Sequence, residues 1–229
     1  MRGAVAGLVL VLALGAGPAL AQGAAPADAP KPDAAQASGA PDGKALFRTK
    51  TCIACHGKDG SRAIQNYPEL AGQNAKYLLQ QMNDIADGKR LSGKDDRGYP
   101  RTQGMKDVMH LANAQERQAI ADYLAALPAP KPRALNPAPD AARLAAGKEA
   151  YTKGGCQTCH GPDGLKPTGV YPIIGGMKRD YLALQMIEIR DGVRQNGASK
   201  SMVPFSKKLD DEKVGLIADY LSQIERPAK

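Results

Sequence analysis

The chain has 229 residues, 43% of them hydrophobic and 24% charged, with eight Tyr, two Phe and no Trp. This composition excludes a disordered or collagen-like chain, and four cysteines are too few for a disulfide-dense scaffold. The formal net charge of +8 favours an acidic protein surface, an anionic membrane face or nucleic acid as partner. The length suits one large domain or two small ones, and so few aromatic rings leave the source of the core to be explained.

Residues 1–21 have the features of a secretory signal peptide. Arg2 is followed by an apolar run over 4–14 and by a small-residue cleavage site at 19–21. A transmembrane anchor is the alternative, but the apolar run is too short for one. We therefore expect export to the periplasm, with residues 22–42, rich in Ala, Pro, Asp and Gly, as a flexible tether.

Helical patterns dominate residues 43–127, which we predict to form a domain. An opening helix is expected over 43–50, and a stripe of apolar side chains predicts a second helix over 74–88. Asn113, with Glu three residues later, is typical of a capping box that starts a helix over 114–126. No stretch alternates like a strand, so the predicted fold class is all-α.

The chain repeats itself. At an offset of 104 residues, 17 of the 39 positions in 52–90 are identical to those in 156–194. Beyond that point the offset falls to 97, because 91–104 holds seven extra residues. Residues 147–225 are therefore predicted to form a second domain, joined to the first by a semi-rigid, Pro-rich linker over 128–146. The helices expected around this copy are 140–153, 211–224 behind the cap candidate Asp210, and the equivalent of 74–88.

All four cysteines lie in two copies of Cys-x-x-Cys-His, the signature of c-type haem attachment. Two thiols on one turn of chain can bond to the two vinyl groups on one side of a porphyrin, and the adjacent His becomes the proximal iron ligand. Two covalent haems would also supply the apolar core that the composition lacks. The predicted residues are Cys52, Cys55 and His56 in the first domain, and Cys156, Cys159 and His160 in the second.

Other interpretations of the cysteines are weaker. A zinc site needs four ligands, usually from a second Cys or His pair, and neither domain has one. A thioredoxin-like redox pair needs a βαβ context and gives no reason for the His that follows. Disulfides Cys52–Cys55 and Cys156–Cys159 are compatible with the periplasm but would close very short loops.

The sixth iron ligand must come from elsewhere in each domain, and we predict Met105 and Met202. The two match under the repeat, and each lies in a loop-like stretch before the last helix, from which Met can reach the distal face. Met82 and Met186 are also paired, but they lie inside a helical stripe, where Met usually fills the core. Met109 and His110 are further candidates in the first domain, but they have no equivalent in the second.

Pro68 and Pro172 follow the attachment motifs at the same distance. The carbonyl of each can accept the proximal His Nδ1–H and so fix the tautomer and ring plane, or the Pro can simply make a turn. The neighbouring paired Tyr could bond a propionate or pack in the core, and the paired Gly mark a close approach to the macrocycle or a turn. These neighbours are Tyr67 and Tyr171, and Gly72 and Gly176.

The chain resembles the dihaem cytochromes c of the c4 type over nearly all of 43–225. The resemblance depends on CIACHGKDG and CQTCHGPDG, on YPELAGQ and DGKR, and on the Met before the final Ala-Asp-Tyr-Leu helix of each half. It implies two class I cytochrome c domains about a pseudo-twofold axis, each wrapped around one haem, close enough for internal electron transfer. It also implies a periplasmic, often membrane-associated carrier from a quinol-oxidising bc complex to a haem–copper terminal oxidase. The chain departs from the pattern at Met177, where the first copy has Gln73, and in the insertion 91–104.

Axial His and Met leave no open coordination position, so we expect an electron carrier and not an enzyme. A cytochrome subunit that accepts electrons from a periplasmic dehydrogenase would have a similar sequence. A dihaem peroxidase would need one haem with a free position, whereas both domains offer Met.

Basic residues lie near both predicted Met ligands. They would steer an acidic redox partner, such as a bc complex, a haem–copper oxidase or a dehydrogenase, although ordinary solvated surface is the alternative. A nucleic-acid partner is not expected, because the chain is exported and has no basic helix with interleaved aromatic residues. The residues are Lys94, Arg97, Arg101 and Lys106 near Met105, and Lys200, Lys207 and Lys208 near Met202.

Overall fold

The computed structural model describes residues 39–227, so the predicted signal peptide and most of the predicted tether lie outside the described residues. Within 39–227 the chain forms ten α-helices and two short 3-10 helices, with no strand and a single β-bridge between Lys94 and Pro100. The all-α prediction is confirmed. In this part of the chain, no helix has the length and apolar character needed to cross a membrane.

The helices follow the order expected from the repeat. The first half contains α1 Gly43–Thr49, α2 Ile53–His56, α3 Ala75–Ala86, α4 Gln103–Met109 and α5 Ala114–Ala126. The second half contains α6 Ala141–Lys153, α7 Gln157–His160, α8 Arg179–Arg190, α9 Val203–Ser206 and α10 Asp211–Ser222, with 3-10 helices at Pro162–Gly164 and Gly197–Met202.

Polar caps fix where the long helices begin. The Asn113 side chain accepts from Glu116 N, and the Glu116 carboxylate accepts from Asn113 N, which confirms the capping box at the start of α5. Asp210 caps α10 by accepting from Lys213 N. Such caps satisfy backbone N–H groups that the first helical turn leaves without partners.

Each half is built on one close crossing of its first and last long helices. Gly43 of α1 lies so close to α5 that a side chain there would overlap the Ala119 carbonyl oxygen. Gly147 of α6 lies equally close to α10, at the Leu216 carbonyl oxygen. Beside the two crossings, the rings of equivalent residues pack 6.1 Å and 6.0 Å apart. These ring pairs are Phe47 with Tyr123 and Tyr151 with Tyr220.

The Pro-rich linker packs against both halves instead of projecting as a spacer. Arg133 forms an ion pair with the buried Glu69 at 2.6 Å and donates to Ala63 O at 3.0 Å. On the other side, the Gln223 amide donates to Arg133 O at 3.1 Å. One linker residue therefore joins the end of the last helix to the first domain.

The two halves meet through a buried polar cluster with pseudo-twofold symmetry. Arg90 donates to Tyr181 OH at 2.9 Å, and its repeat equivalent Arg194 donates to Tyr77 OH at 3.3 Å. Both guanidinium groups also donate to Gln81 Oε1, at 3.1 Å and 3.0 Å. We call this cluster the interdomain network; its members are Tyr77, Gln81, Arg90, Tyr181, Gln185 and Arg194.

Candidate haem sites

The attachment motif of each half forms a single short helix that ends at its histidine. Helix α2 ends at His56 and helix α7 at His160, and both imidazoles are only 3% exposed. The short helix places the second Cys and the His of each motif beside the core.

Both histidines have a fixed tautomer. His56 Nδ1–H donates to Pro68 O at 2.9 Å, and His160 Nδ1–H donates to Pro172 O at 3.0 Å. Since a carbonyl oxygen can only accept, the proton must lie on Nδ1, and Nε2 keeps its lone pair. Burial lowers the pKa of both imidazoles, so both are neutral at pH 7. The Pro residues therefore orient the rings in the way a metal-binding His requires.

In the first half, the predicted Met ligand faces the free nitrogen of the histidine. Met105 Sδ lies 3.5 Å from His56 Nε2. The sequence placed Met105 in a loop-like stretch, but the residue lies inside helix α4. The alternative iron ligands of the first half lie elsewhere: Met109 is buried in the core, 1% exposed, and His110 is an exposed C-cap of helix α4.

In the second half, one apolar cavity brings the motif and the predicted Met together. Cys156, His160 and Met202 line it, with Met186 and Ile217 among the surrounding side chains. Met202 is the last residue of the 3-10 helix Gly197–Met202 and not part of an irregular loop. His160 Nε2 is buried and has no hydrogen-bond partner among the described residues. A buried nitrogen of this kind is satisfied by a metal ion, so the residues fit an iron porphyrin.

Methionines 82 and 186 belong to the helical cores. Met82 is 8% exposed on α3, and Met186 is 7% exposed on α8. Each packs among the buried apolar side chains of its own half, as expected of a core filler.

All four cysteines lie in the described part of the chain with intermediate exposure, and they form no disulfide there. Burial raises the pKa of the Cys52 thiol to about 11 and also raises that of Cys156. Before haem attachment both thiols are therefore protonated at neutral pH. Over 39–227, no three His, Cys, Asp or Glu side chains form a metal-binding cluster of the kind zinc requires.

The Tyr and Gly residues that the internal repeat pairs contribute to packing and to turns. The rings of Tyr67 and Tyr171 pack 6.2 Å and 6.0 Å from the imidazoles of their own halves. Gly72 has a φ of +70° where the linker passes at Ala129, and Gly176 has a φ of +72°. These glycines allow turns at which two parts of the chain meet.

Comparison with known proteins agrees with this arrangement. Residues 40–128 match the family described as Cytochrome c, and residues 142–221 match the family described as Cytochrome C oxidase, cbb3-type, subunit III. Cytochrome c4 of Pseudomonas aeruginosa is 33% identical over 184 residues, which cover 76% of this chain and 84% of that protein. The chain belongs to the cytochrome c4 family.

Other similar proteins agree with this family assignment. A crystal structure of reduced recombinant cytochrome c4 from Pseudomonas stutzeri superposes with a TM-score of 0.66 at 26% identity, covering 81% of this chain and 100% of that one. The thiosulfate dehydrogenase electron acceptor of Stutzerimonas stutzeri is 29% identical over 180 residues, 76% of this chain and 78% of that protein. As a member of the cytochrome c4 family, the protein is a dihaem electron-transfer cytochrome with two covalently bound haem c groups.

The interdomain network is the feature of this cytochrome c4 that sequence analysis did not identify. Its residues were visible as identical pairs in the repeat, such as Tyr77 with Tyr181 and Arg90 with Arg194. A basic residue repeated at the end of a helical segment has no role in haem attachment. Its repetition was the feature of the sequence that could have indicated another role. Its partners lie in the other half of the chain, which no local pattern indicates.

Proposed function

We propose that the protein is a periplasmic electron carrier between a quinol-oxidising bc complex and a haem–copper terminal oxidase. The first haem would be held by residues 43–127 and the second by 147–225, with the Pro-rich linker 128–146 between them. The proposed thioether links are from Cys52, Cys55, Cys156 and Cys159, and the proposed axial ligands are His56 with Met105 and His160 with Met202.

One observation carries this proposal: Met105 Sδ faces the free Nε2 of a buried His whose other nitrogen is committed to Pro68 O. A bound haem supplies a one-electron Fe(III)/Fe(II) couple. A His and a Met of each half would bind the iron and leave no position for water or substrate, which favours outer-sphere electron transfer over catalysis. A dihaem peroxidase is disfavoured for the same reason, since both halves offer a Met.

A second candidate is an electron acceptor for a periplasmic dehydrogenase. The similarity to two thiosulfate dehydrogenase electron acceptors, 29% and 28% identical, favours it. The sequence and the fold suit either partner, so the two candidates differ only in the source of the electrons.

An absorption spectrum with haem quantitation tests the shared part of both candidates. We expect two haems per chain, low-spin spectra, and an Fe–S(Met) charge-transfer band at the amplitude of two ligated irons. A single haem, or a haem that binds cyanide readily in the reduced-poised protein, would refute the proposed ligation.

The electron source is tested by adding the oxidised protein either to membranes supplied with quinol or to a purified thiosulfate dehydrogenase with thiosulfate. Faster reduction by the membranes supports the bc complex as donor. Reduction by the dehydrogenase alone would replace that proposal with the second candidate.

A further inference from the structure

The Gln73 side chain of the first half forms two hydrogen bonds with the backbone of Ile173 in the second half. Its Oε1 accepts from Ile173 N–H at 2.8 Å, and its Nε2 donates to Ile173 O at 2.8 Å. The same Oε1 also accepts from Asn74 N at 2.8 Å. Because two N–H groups converge on Oε1, the amide can have only this orientation. The side chain is 2% exposed, so the contact is shielded from water.

The N–H that donates to Gln73 Oε1 belongs to the same peptide unit as the carbonyl that accepts from His160. Ile173 N–H and Pro172 C=O belong to the same planar peptide unit, and Pro172 O accepts from His160 Nδ1–H at 3.0 Å. A hydrogen-bonded chain therefore runs from His160 through this peptide to Gln73 in the other domain. In such a chain each bond polarises the next, so donation by Ile173 N–H makes Pro172 O a stronger acceptor.

The first half does not repeat this arrangement. The residue equivalent to Gln73 is Met177, whose thioether sulfur is a weak acceptor. Met177 Sδ instead lies 3.7 Å from Gln73 Nε2 as a member of the second half's core. The peptide behind Pro68 therefore cannot be polarised by a side-chain amide at that position.

We propose that Gln73 is a positioning residue that increases the electron-donating strength of His160 across the domain boundary and so lowers the reduction potential of the second haem. A stronger hydrogen bond from Nδ1–H gives the imidazole more imidazolate character, which favours the ferric state of an iron bound at Nε2. The inference rests on the proposed ligation of iron by His160.

The test is Gln73→Met, which installs the residue that the second half uses at the equivalent position and keeps a long, unbranched side chain in the buried site. In the reduced protein, we expect the NMR resonance of His160 Nδ1–H to move upfield while that of His56 Nδ1–H stays in place. The one-electron equilibrium constant of the second haem should change roughly threefold towards reduction, which at about 59 mV per tenfold is about 28 mV upward.

Asn74→Ser is the matched control. Asn74 Nδ2 donates to Gly169 O at 3.0 Å and Tyr171 O at 3.2 Å, so the change removes two interdomain hydrogen bonds without touching Ile173. Serine keeps the neutral cap that Asn74 provides at the start of α3. We expect this variant to leave the His160 resonance and the second potential at their wild-type values.

An unchanged His160 resonance and potential in Gln73→Met, with two low-spin haems bound, would overturn the inference while leaving the proposed function intact. Equal shifts in both variants would also overturn it, because they would reflect a looser interface. If Gln73→Met does not accumulate, the wild type decides: His160 Nδ1–H must resonate downfield of His56 Nδ1–H, and the reverse order refutes the inference. A wild-type protein without a low-spin second haem would instead refute the ligation on which it rests.

Discussion

At the scale of single residues, the two ring nitrogens of each attachment histidine have different roles. Nδ1 is committed to a Pro carbonyl, and burial keeps the ring neutral, so Nε2 is the atom left to bind iron. The sequence predicted this from one neighbour relation, a Pro at a fixed distance from each motif. It could not predict whether the Pro would serve as acceptor or merely turn the chain, because that depends on how the segment folds back over the His.

Replacing Met202 with Ala should remove the distal ligand of the second haem. We expect about half of the Fe–S(Met) charge-transfer absorbance to be lost and the potential of that haem to fall, since the thioether ligand raises the potential. Absorption spectroscopy and a redox titration measure both effects. Met186→Leu is the control, because Met186 is a buried core residue of similar volume, and this change should leave the band at full amplitude. Loss of the band in the control instead would reverse the ligand assignment.

At the scale of elements, the sequence predicted the long helices and the opening helix α1 well, and the short helices α4 and α9 poorly. Helices α3, α5, α6 and α10 span three turns or more, so their apolar stripes and caps can be recognised. Helix α4 has seven residues and begins within the segment that holds the insertion, and α9 has four, which is too short for a period to be recognised. These short helices carry or adjoin the predicted Met ligands, so the distal side of each site was the least predictable part.

The crossing of α6 with α10 should depend on the absence of a side chain at Gly147. A Cβ there would overlap the Leu216 carbonyl oxygen and lie 2.6 Å from Tyr220 Cβ, both in α10. Gly147→Ala should therefore force the helices apart and lower the free energy of unfolding of the haem-loaded protein by about 1–3 kcal/mol. Denaturant unfolding followed by circular dichroism measures the change.

Gly215→Ala is the matched control on the opposing helix. The nearest atom to a Cβ at Gly215 is 3.5 Å away, so a methyl group fits, and Ala is the better helix former by about 0.8–1 kcal/mol. The control should raise stability slightly. Equal losses in the two variants would contradict the importance of the crossing.

At the scale of the whole molecule, the interdomain network makes the two halves one unit. Each Arg donates to the Tyr hydroxyl of the other half, so these buried hydrogen bonds are lost when the halves separate. The internal repeat predicted two domains from the sequence alone. How they dock could not be predicted, since symmetric contacts between repeats leave no local periodicity.

Replacing Arg194 with Leu should separate the unfolding of the two halves. Arg194 is 5% exposed, and its loss leaves the buried Tyr77 hydroxyl without its donor from the other half, a cost of about 1–3 kcal/mol at the interface. Calorimetry should change from one cooperative transition to two. Arg190→Leu is the control, because Arg190 pairs with Asp191 and Asp211, which are 50% and 84% exposed, and such pairs contribute about 0–1 kcal/mol. Two transitions in the control as well would show that the network is not what joins the halves.

Electrostatic steering at the second site is a property of the whole charge distribution. Lys207 and Lys208 are exposed five and six residues after Met202, and we expect them to raise the rate at which an anionic oxidant approaches. The double change Lys207→Glu with Lys208→Glu should slow oxidation of the reduced protein by hexacyanoferrate(III) about threefold to tenfold at about 0.01 M salt. Stopped-flow absorbance measures the rate.

The matched control carries the same net charge at two other exposed positions, Lys131→Glu with Lys148→Glu. If position matters, the control slows the reaction less, and the difference between the two double variants shrinks at about 1 M salt, where the screening length falls to about 3 Å. If the two double variants slow it equally at every salt concentration, only net charge steers the oxidant. In that outcome the lysines beside Met202 are ordinary solvated surface, and an acidic partner would have to recognise the protein elsewhere.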